Sequence, residues 1–227
     1  NLITKKFLNI FYPKYIFVNS KKNYFEYKKK LKNTKVLRLH DWDGSNFIRL
    51  NKRKKSGNLA TYLSAFSLNS ASDSAHYNTN RTENSKNILE SLDHFFSSFE
   101  KKSNLKIQVA KHPREEENFK SPIYKNNKRF SSKYLTGELV KSSKLVITTM
   151  SSAISYAILF KKPILFIITN EHFKNISLIN STKAISKYLK SDLINIDSNK
   201  NYKINLIIKH QTKKRYNYIT KNYLISE

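Results

Sequence analysis

The sequence predicts the α/β class, with helices packed on parallel sheets, and three observations carry the prediction. Segments of helical and strand character alternate along the chain, as they do where a strand, a crossover helix and a second strand repeat. Several strand-like runs lead directly into short polar motifs, and an open α/β sheet places its ligands just beyond the carboxyl ends of its strands. No internal repeat at a solenoid period is present, so a stacked array is excluded.

The elements follow in order. Residues 5–11 read as helix, 15–18 as strand, 21–31 as a helix carrying Tyr and Phe pairs, and 35–39 as strand. That strand enters His40-Asp41-Trp42-Asp43-Gly44-Ser45, a turn-forming cluster in which Gly44 is expected to supply a positive φ. Residues 67–85 are rich in Ser, Asn, Asp and Thr and nearly empty of large aliphatics, which predicts a surface loop or linker. Beyond it, 86–101 reads as helix and 106–110 as a strand ending at Lys111-His112-Pro113. A polar loop, a helix at 132–140, a strand at 145–149 and a helix opening at Ser151-Ser152 come next, then an apolar strand at 163–168. A helix at 181–189, a short strand at 193–196 and a long basic helix from about residue 202 complete the pattern. The expected organisation is a partial N-terminal Rossmann-like unit over 1–67, a linker at 68–85, and a complete Rossmann-like unit over 86–227 with a basic C-terminal helix. The chain opens on Asn1 rather than Met and on a helix-like run, so it is expected to be a fragment whose first unit is incomplete.

The 227 residues are enough to bury a core, and 14 Phe and 14 Tyr supply bulky apolar surface, so disorder is not the reading. Lys and Arg number 43 against 16 Asp and Glu, a net charge of +27, and such a field attracts phosphate-rich partners. Composition explains the charge equally well: Lys, Asn, Ile and Ser dominate together, as an AT-rich coding bias produces, and the lysines are scattered. No zinc-ligand pattern, aromatic-glycine motif or basic heptad array is visible, so nucleic acid is not the expected partner. The absence of cysteine excludes disulfides and thiolate metal sites and suits a reducing cytoplasm. No apolar run reaches the ~18–20 residues that span a bilayer.

Three motifs sit at predicted strand ends. Asp43, beside Gly44, is a carboxylate able to accept a proton from a hydroxyl; taken alone it is an ordinary Asp-Gly turn. At His112-Pro113 the proline stops the strand and leaves the imidazole at the sheet edge, able to donate to a phosphate. The other histidines, His40, His76, His94, His172 and His210, lack such a setting and read as structural or exposed. Thr148-Thr149-Met150-Ser151-Ser152 precedes an apolar helix, where hydroxyls and unpaired helix N–H groups make an anion site; plain N-capping by serine gives the same pattern.

In this order and spacing, Trp42-Asp43-Gly44, His112-Pro113 and Ser151-Ser152 resemble the acidic-glycine, His-Pro and Ser-Ser motifs of the bacterial sialyltransferases of GT-B type. The resemblance covers roughly residues 36–168. It implies a GT-B-like fold of Rossmann-type parallel sheets and a glycosyltransferase that moves a sialic-acid-like nonulosonic acid from a CMP-activated donor to a surface glycan, lipooligosaccharide or capsule. By that resemblance Asp43 is the general base, His112 stabilises or protonates the leaving phosphate, and Ser151 and Ser152 bind the CMP phosphate. Pro113 and Gly44 belong to the same donor site, and Glu138 stands where the family has an acidic residue for the nucleotide's ribose or base. Trp42 departs from the family pattern, which usually has two acidic residues before the glycine.

The implied mechanism is inverting transfer with no metal and no cofactor. A single bridging phosphate is neutralised by one imidazole, two hydroxyls and a helix N-terminus. Asp41 and Asp43 nominally form an Asp-x-Asp pair, so a metal reading of them is the internal rival. Other rivals are a GT-B transferase with a CMP-Kdo or CDP-glycerol donor, a non-enzymatic basic protein that binds nucleic acid or membrane, and a degenerate fragment that folds without activity. The expected partners are the CMP-activated donor and a glycan or glycolipid acceptor. The expected place is the cytoplasm, with peripheral contact between the basic tail, including Lys203, Lys209, Lys213, Lys214 and Arg215, and the anionic inner face of the cytoplasmic membrane.

Overall fold

The structure of the protein is a computed structural model, which describes residues 13–50, 57–64, 83–113, 115, 123, 129–198 and 213–225. The predicted helix at 5–11 and most of the predicted loop at 67–85 lie outside them.

Two parallel sheets are present among the described residues. Strand β1 (Tyr15–Val18), helix α1 (Lys21–Lys30) and strand β2 (Lys35–Arg38) make a single βαβ unit. Ser20 caps α1 by accepting the Asn23 N–H, and Lys28, Lys29 and Lys30 occupy the last turn, where the helix dipole favours cations. Helix α2 (Trp42–Leu50) follows β2.

The second sheet has six parallel strands: β3 (Leu59–Leu63), β4 (Lys106–Ala110), β5 (Ser131–Ser132), β6 (Leu145–Thr148), β7 (Ile164–Ile168) and β8 (Asp192–Asn195). Their order is β5-β4-β3-β6-β7-β8, so the chain builds outward from β3 to one edge, returns beside β3 at β6, and builds to the other edge. This is the strand order of doubly wound Rossmann-type sheets, with the reversal between β3 and β6. The expected α/β class with parallel sheets and flanking helices is therefore present.

Helices cover both faces. On one face, α3 (Glu83–Ser103) sets Ile88, Leu89, Leu92, Phe95, Phe96 and Phe99 on β3, β4, β6 and β7 at i, i+3 and i+4 spacing. On the other lie α4 (Thr136–Ser142), α5 (Ile154–Leu159) and α7 (Lys213–Ile219), the last running into a π-helical turn at Thr220–Leu224. Helix α6 (Ile176–Leu189) adds Leu189 to the same cluster.

Several elements differ from the sequence reading. Residues 42–50 are helix, not a turn, and Gly44 sits inside that helix; among the described residues no glycine has positive φ. The segment Leu59–Leu63 is a strand central to the six-stranded sheet, although a boundary at residue 67 assigns it to the first unit. Helix α3 begins at Glu83, inside the predicted linker, and α4 begins at Thr136 rather than 132 because Ser131 and Ser132 pair with β4. Of the long basic helix, residues 199–212, with Lys203 and Lys209, lie outside the described residues. The described part packs on the domain. Tyr216 is buried and donates to Lys162 O, and Arg215 lies over the Tyr188 ring and donates to the Lys187 and Tyr188 carbonyls at the end of α6. No helix among the described residues is long and apolar enough to cross a membrane.

His172, in a 3₁₀ turn (Glu171–Lys174) after β7, is 3% exposed. Its Nδ1 accepts the Thr169 N–H at 2.9 Å, so that nitrogen carries no proton. Burial pushes the imidazole down to about 4, against the opposing pull of Asp197 and Glu171. The unfolded chain therefore binds a proton that the folded one refuses between about pH 6.5 and 4. The stabilisation from neutral His172 is complete above pH 6.5 and disappears as pH falls toward 4, an expected loss of about 3 kcal/mol. Urea midpoints of the parent and of His172→Asn, whose amide oxygen replaces Nδ1 as acceptor, should diverge across that window. Parallel pH profiles would assign the acid sensitivity elsewhere.

Candidate functional site

A cavity of about 440 Å³ opens at the carboxyl end of the six-stranded sheet. It is lined by Leu63 and Ser64 at the end of β3, Ala110 to Pro113 at the end of β4, and Ser151 to Ala153 after β6. These segments flank the β3–β6 reversal, the crevice in which doubly wound sheets hold ligands. Helix α2 forms the facing wall, and α4 closes the side with Gly137 and Glu138.

Asp43 is brought to this cavity by the way α2 starts. Asp41 acts as its N-cap: Oδ1 accepts the Gly44 N–H at 2.6 Å, and the Asp41 carbonyl accepts the Ser45 N–H at 3.0 Å. Two turns of helix then place Asp43, Asn46, Arg49 and Leu50 along the same wall. The Asp43 carboxylate accepts a hydrogen bond from Ser155 Oγ in the first turn of α5. At the far end of α2 the Lys141 ammonium donates to Leu50 O, a cation at a helix C-terminus. Gly137 allows the three helices to meet: a Cβ there would stand 2.5 Å from Leu50 Cδ1 and 3.1 Å from Tyr156 Cε1.

The predicted site residues Asp43, His112, Pro113, Glu138, Ser151 and Ser152 all border this one cavity. Gly44 does not. It is buried under the π-helical turn, where an added Cβ would strike Leu224 O, and its expected place in the donor site is corrected to a packing role. The anion site expected after β6 is also altered. The N–H groups of Ile154, Ser155 and Tyr156 donate to the carbonyls of Ser151, Ser152 and Ala153, so these amides are already engaged. Thr148 and Thr149 are buried, with Thr148 Oγ1 donating to Leu63 O, which leaves Ser151 and Ser152 as the hydroxyl residues of this motif at the cavity.

The sequence reading missed Asn46, Arg49, Lys111, Lys133, Ser155 and Tyr156. Arg49, Lys111, His112 and Lys133 border the cavity together with the carboxylates of Asp43 and Glu138. Lys111 pairs with Glu115 at 3.9 Å, both largely buried. Burial beside the Asp43 and Glu138 carboxylates pushes the Tyr156 phenol up to about 12, so it remains a hydrogen-bond donor at neutral pH.

Asp41 and Asp43 open to different cavities. Asp41 borders a second one, of about 650 Å³, with His40, Tyr27 and Phe17, and the exposed Trp42 ring stands between the two. Burial, with the neighbouring Asp43 charge, raises the Asp41 carboxyl above its usual range against the Gly44 amide. Among the described residues no cluster of three or more His, Asp or Glu is arranged to hold a metal ion. The chain matches no family model, no curated protein and no solved structure.

Proposed function

We propose that the protein is a GT-B-type glycosyltransferase that moves a sialic-acid-like nonulosonic acid from a CMP-activated donor to a glycan or glycolipid acceptor. The observation that supports this most is the convergence of Asp43, from the helix after the first βαβ unit, with His112, Ser151 and Ser152 at the switch point of the six-stranded sheet. An acceptor hydroxyl between them meets a carboxylate on one side and a phosphate-binding wall on the other. His112, with Ser151 and Ser152, takes the leaving CMP phosphate; Asp43 removes the acceptor proton. Glu138 is placed to meet the nucleotide's ribose or base. The chain has only three glycines, Gly44, Gly57 and Gly137, so no glycine-rich pyrophosphate loop follows β3, which fits a donor with a single phosphate. The net charge of +27 suits an anionic glycolipid acceptor presented at the inner membrane surface, with the protein in the cytoplasm.

A thermal-shift panel of CMP, CDP, UDP and GDP tests the donor. CMP at ~100 times its Kd should stabilise the parent by about 2.7 kcal/mol. His112→Ala should weaken CMP binding by roughly 10- to 150-fold, the loss of a charge-assisted hydrogen bond. Preference for CDP would redirect the reading to a CDP-glycerol type of donor, and indifference to all four nucleotides would remove it.

A further inference from the structure

Helix α1 buries none of its residues, and Phe25, at its middle, is 57% exposed. On a helix the neighbours of a side chain stand three and four positions to either side. For Phe25 these are Lys21, Lys22, Lys28 and Lys29, so an exposed aromatic ring occupies a helix side made otherwise of lysine. Tyr24 backs the ring, edge-on at 5.3 Å, and Lys28 Nζ donates to the Tyr24 hydroxyl at 3.3 Å while lying over its ring. The one acid of the helix, Glu26, pairs with Lys22 at 3.9 Å with both side chains exposed, a contact that does little against so many cations. Past the last turn the cationic surface continues at the exposed Lys14 and Lys35, whose backbones are joined by the Lys35 N–H donating to Lys14 O at 3.0 Å, with Tyr15 exposed beside them.

We propose that this face of the first βαβ unit docks on an anionic phospholipid bilayer, with Phe25 entering the boundary between headgroups and acyl chains while the lysines around it meet lipid phosphates. Lysines alone would serve any polyanion. An exposed ring set among them fits a surface that has phosphate outside and hydrocarbon directly beneath. The described part of the C-terminal tail offers no such face, since Tyr216 and Leu224 are buried and Arg215 is engaged at the end of α6. Because β2 leads on into α2, the docked unit is the one that supplies the helical wall of the cavity. The assignment does not rest on the glycosyltransferase reading, and a parent that ignores every nucleotide leaves it standing.

Vesicle flotation at low salt tests this, with phosphatidylcholine vesicles compared against vesicles in which phosphatidylglycerol replaces a third of the lipid. The parent should float only with the anionic vesicles. Lys28→Glu/Lys29→Glu should weaken that binding by about 30-fold or more, the worth of two basic residues near an anionic leaflet. Phe25→Ala, which leaves the charge untouched, should weaken it by roughly five- to tenfold. Lys101→Glu/Lys102→Glu makes the same charge change at the matching place, the last turn of α3, and should stay within about twofold of the parent. The replaced side chains of α1 are exposed, so urea midpoints should remain near the parent value. No binding by the parent overturns the proposal, as does an equal loss in the α3 pair, which would assign the attraction to net charge alone. Phe25→Ala binding like the parent removes the insertion. Tighter binding to duplex DNA than to the vesicles, lost in the same α1 variants, would transfer the face to nucleic acid and overturn the membrane assignment.

Discussion

Asp43→Ala is expected to reduce sugar transfer by roughly 10²–10⁴-fold, the usual contribution of a positioned general base. CMP affinity should change by no more than about twofold, since a group that acts only in the transition state leaves ground-state binding alone. The site geometry makes the two effects separable. Asp43 stands on α2 and is held by α5, whereas His112 follows β4 on the sheet side of the cavity. The paired comparison is CMP titration and single-turnover transfer in Asp43→Ala and His112→Ala. Equal loss of CMP affinity in both variants would show that the carboxylate belongs to the nucleotide site and that the roles are misassigned.

Arg129→Met is expected to cost about 3 kcal/mol of stability, the low end for removing one partner of a buried ion pair. Arg129 is 3% exposed and lies beneath α3. Its guanidinium donates to Asp93 at 2.6 Å, Glu100 at 3.0 Å, Ser97 at 3.1 Å and Ile123 O at 2.9 Å, and it lies over the Phe96 ring at 5.4 Å. Glu100 also accepts the Ile107 N–H at 2.9 Å, so the network ties α3 to the start of β4. Methionine keeps the apolar stem and leaves two part-buried carboxylates facing each other without a cation. Their partial exposure is the reason for the low end of the range. Urea denaturation should show a lower midpoint for Arg129→Met, with part of the loss recovered in Arg129→Met/Glu100→Gln. A cost below about 1 kcal/mol would mean that water replaces the guanidinium freely.

The alternation of segments was enough to recognise parallel α/β architecture, because buried parallel strands such as β6 and β7 are short apolar runs whose ends are marked by polar motifs. The positions of His112 and Ser151 were legible for the same reason: each lies within three residues of a strand end, so strand-end position and cavity position coincide. Asp43 was legible as a residue and not as a setting. Asp-Gly suggests a turn, yet Asp41, followed by Phe47, Ile48 and Leu50, carries the pattern of an N-cap and an apolar helical face, and the longer-range packing of α2 on α4 and α5 settles the competition. Strand β3 escaped notice because five residues beside a compositional shift carry little periodic signal, although the sheet is built around it. Asn46 and Tyr156 were not legible at all. They lie 110 positions apart and meet only once two helices from different units are docked.

The underside of α2 has a consequence for the order in which the protein assembles. Arg38 donates to Lys221 O and Ile225 O, 183 and 187 positions away, and the Asp41 N–H donates to Leu224 O. During synthesis the six strands of the main sheet, all complete by Asn195, emerge well before these partners do. The helix bearing Asp43 therefore waits for residues 221–225 before its lower side is sealed, and contacts of such sequence separation close late and slowly. Until that closure the sheet side of the switch-point crevice faces a wall, α2, that is not yet firmly seated. The nascent chain thus completes the sheet side of the crevice before the helix that faces it is fixed.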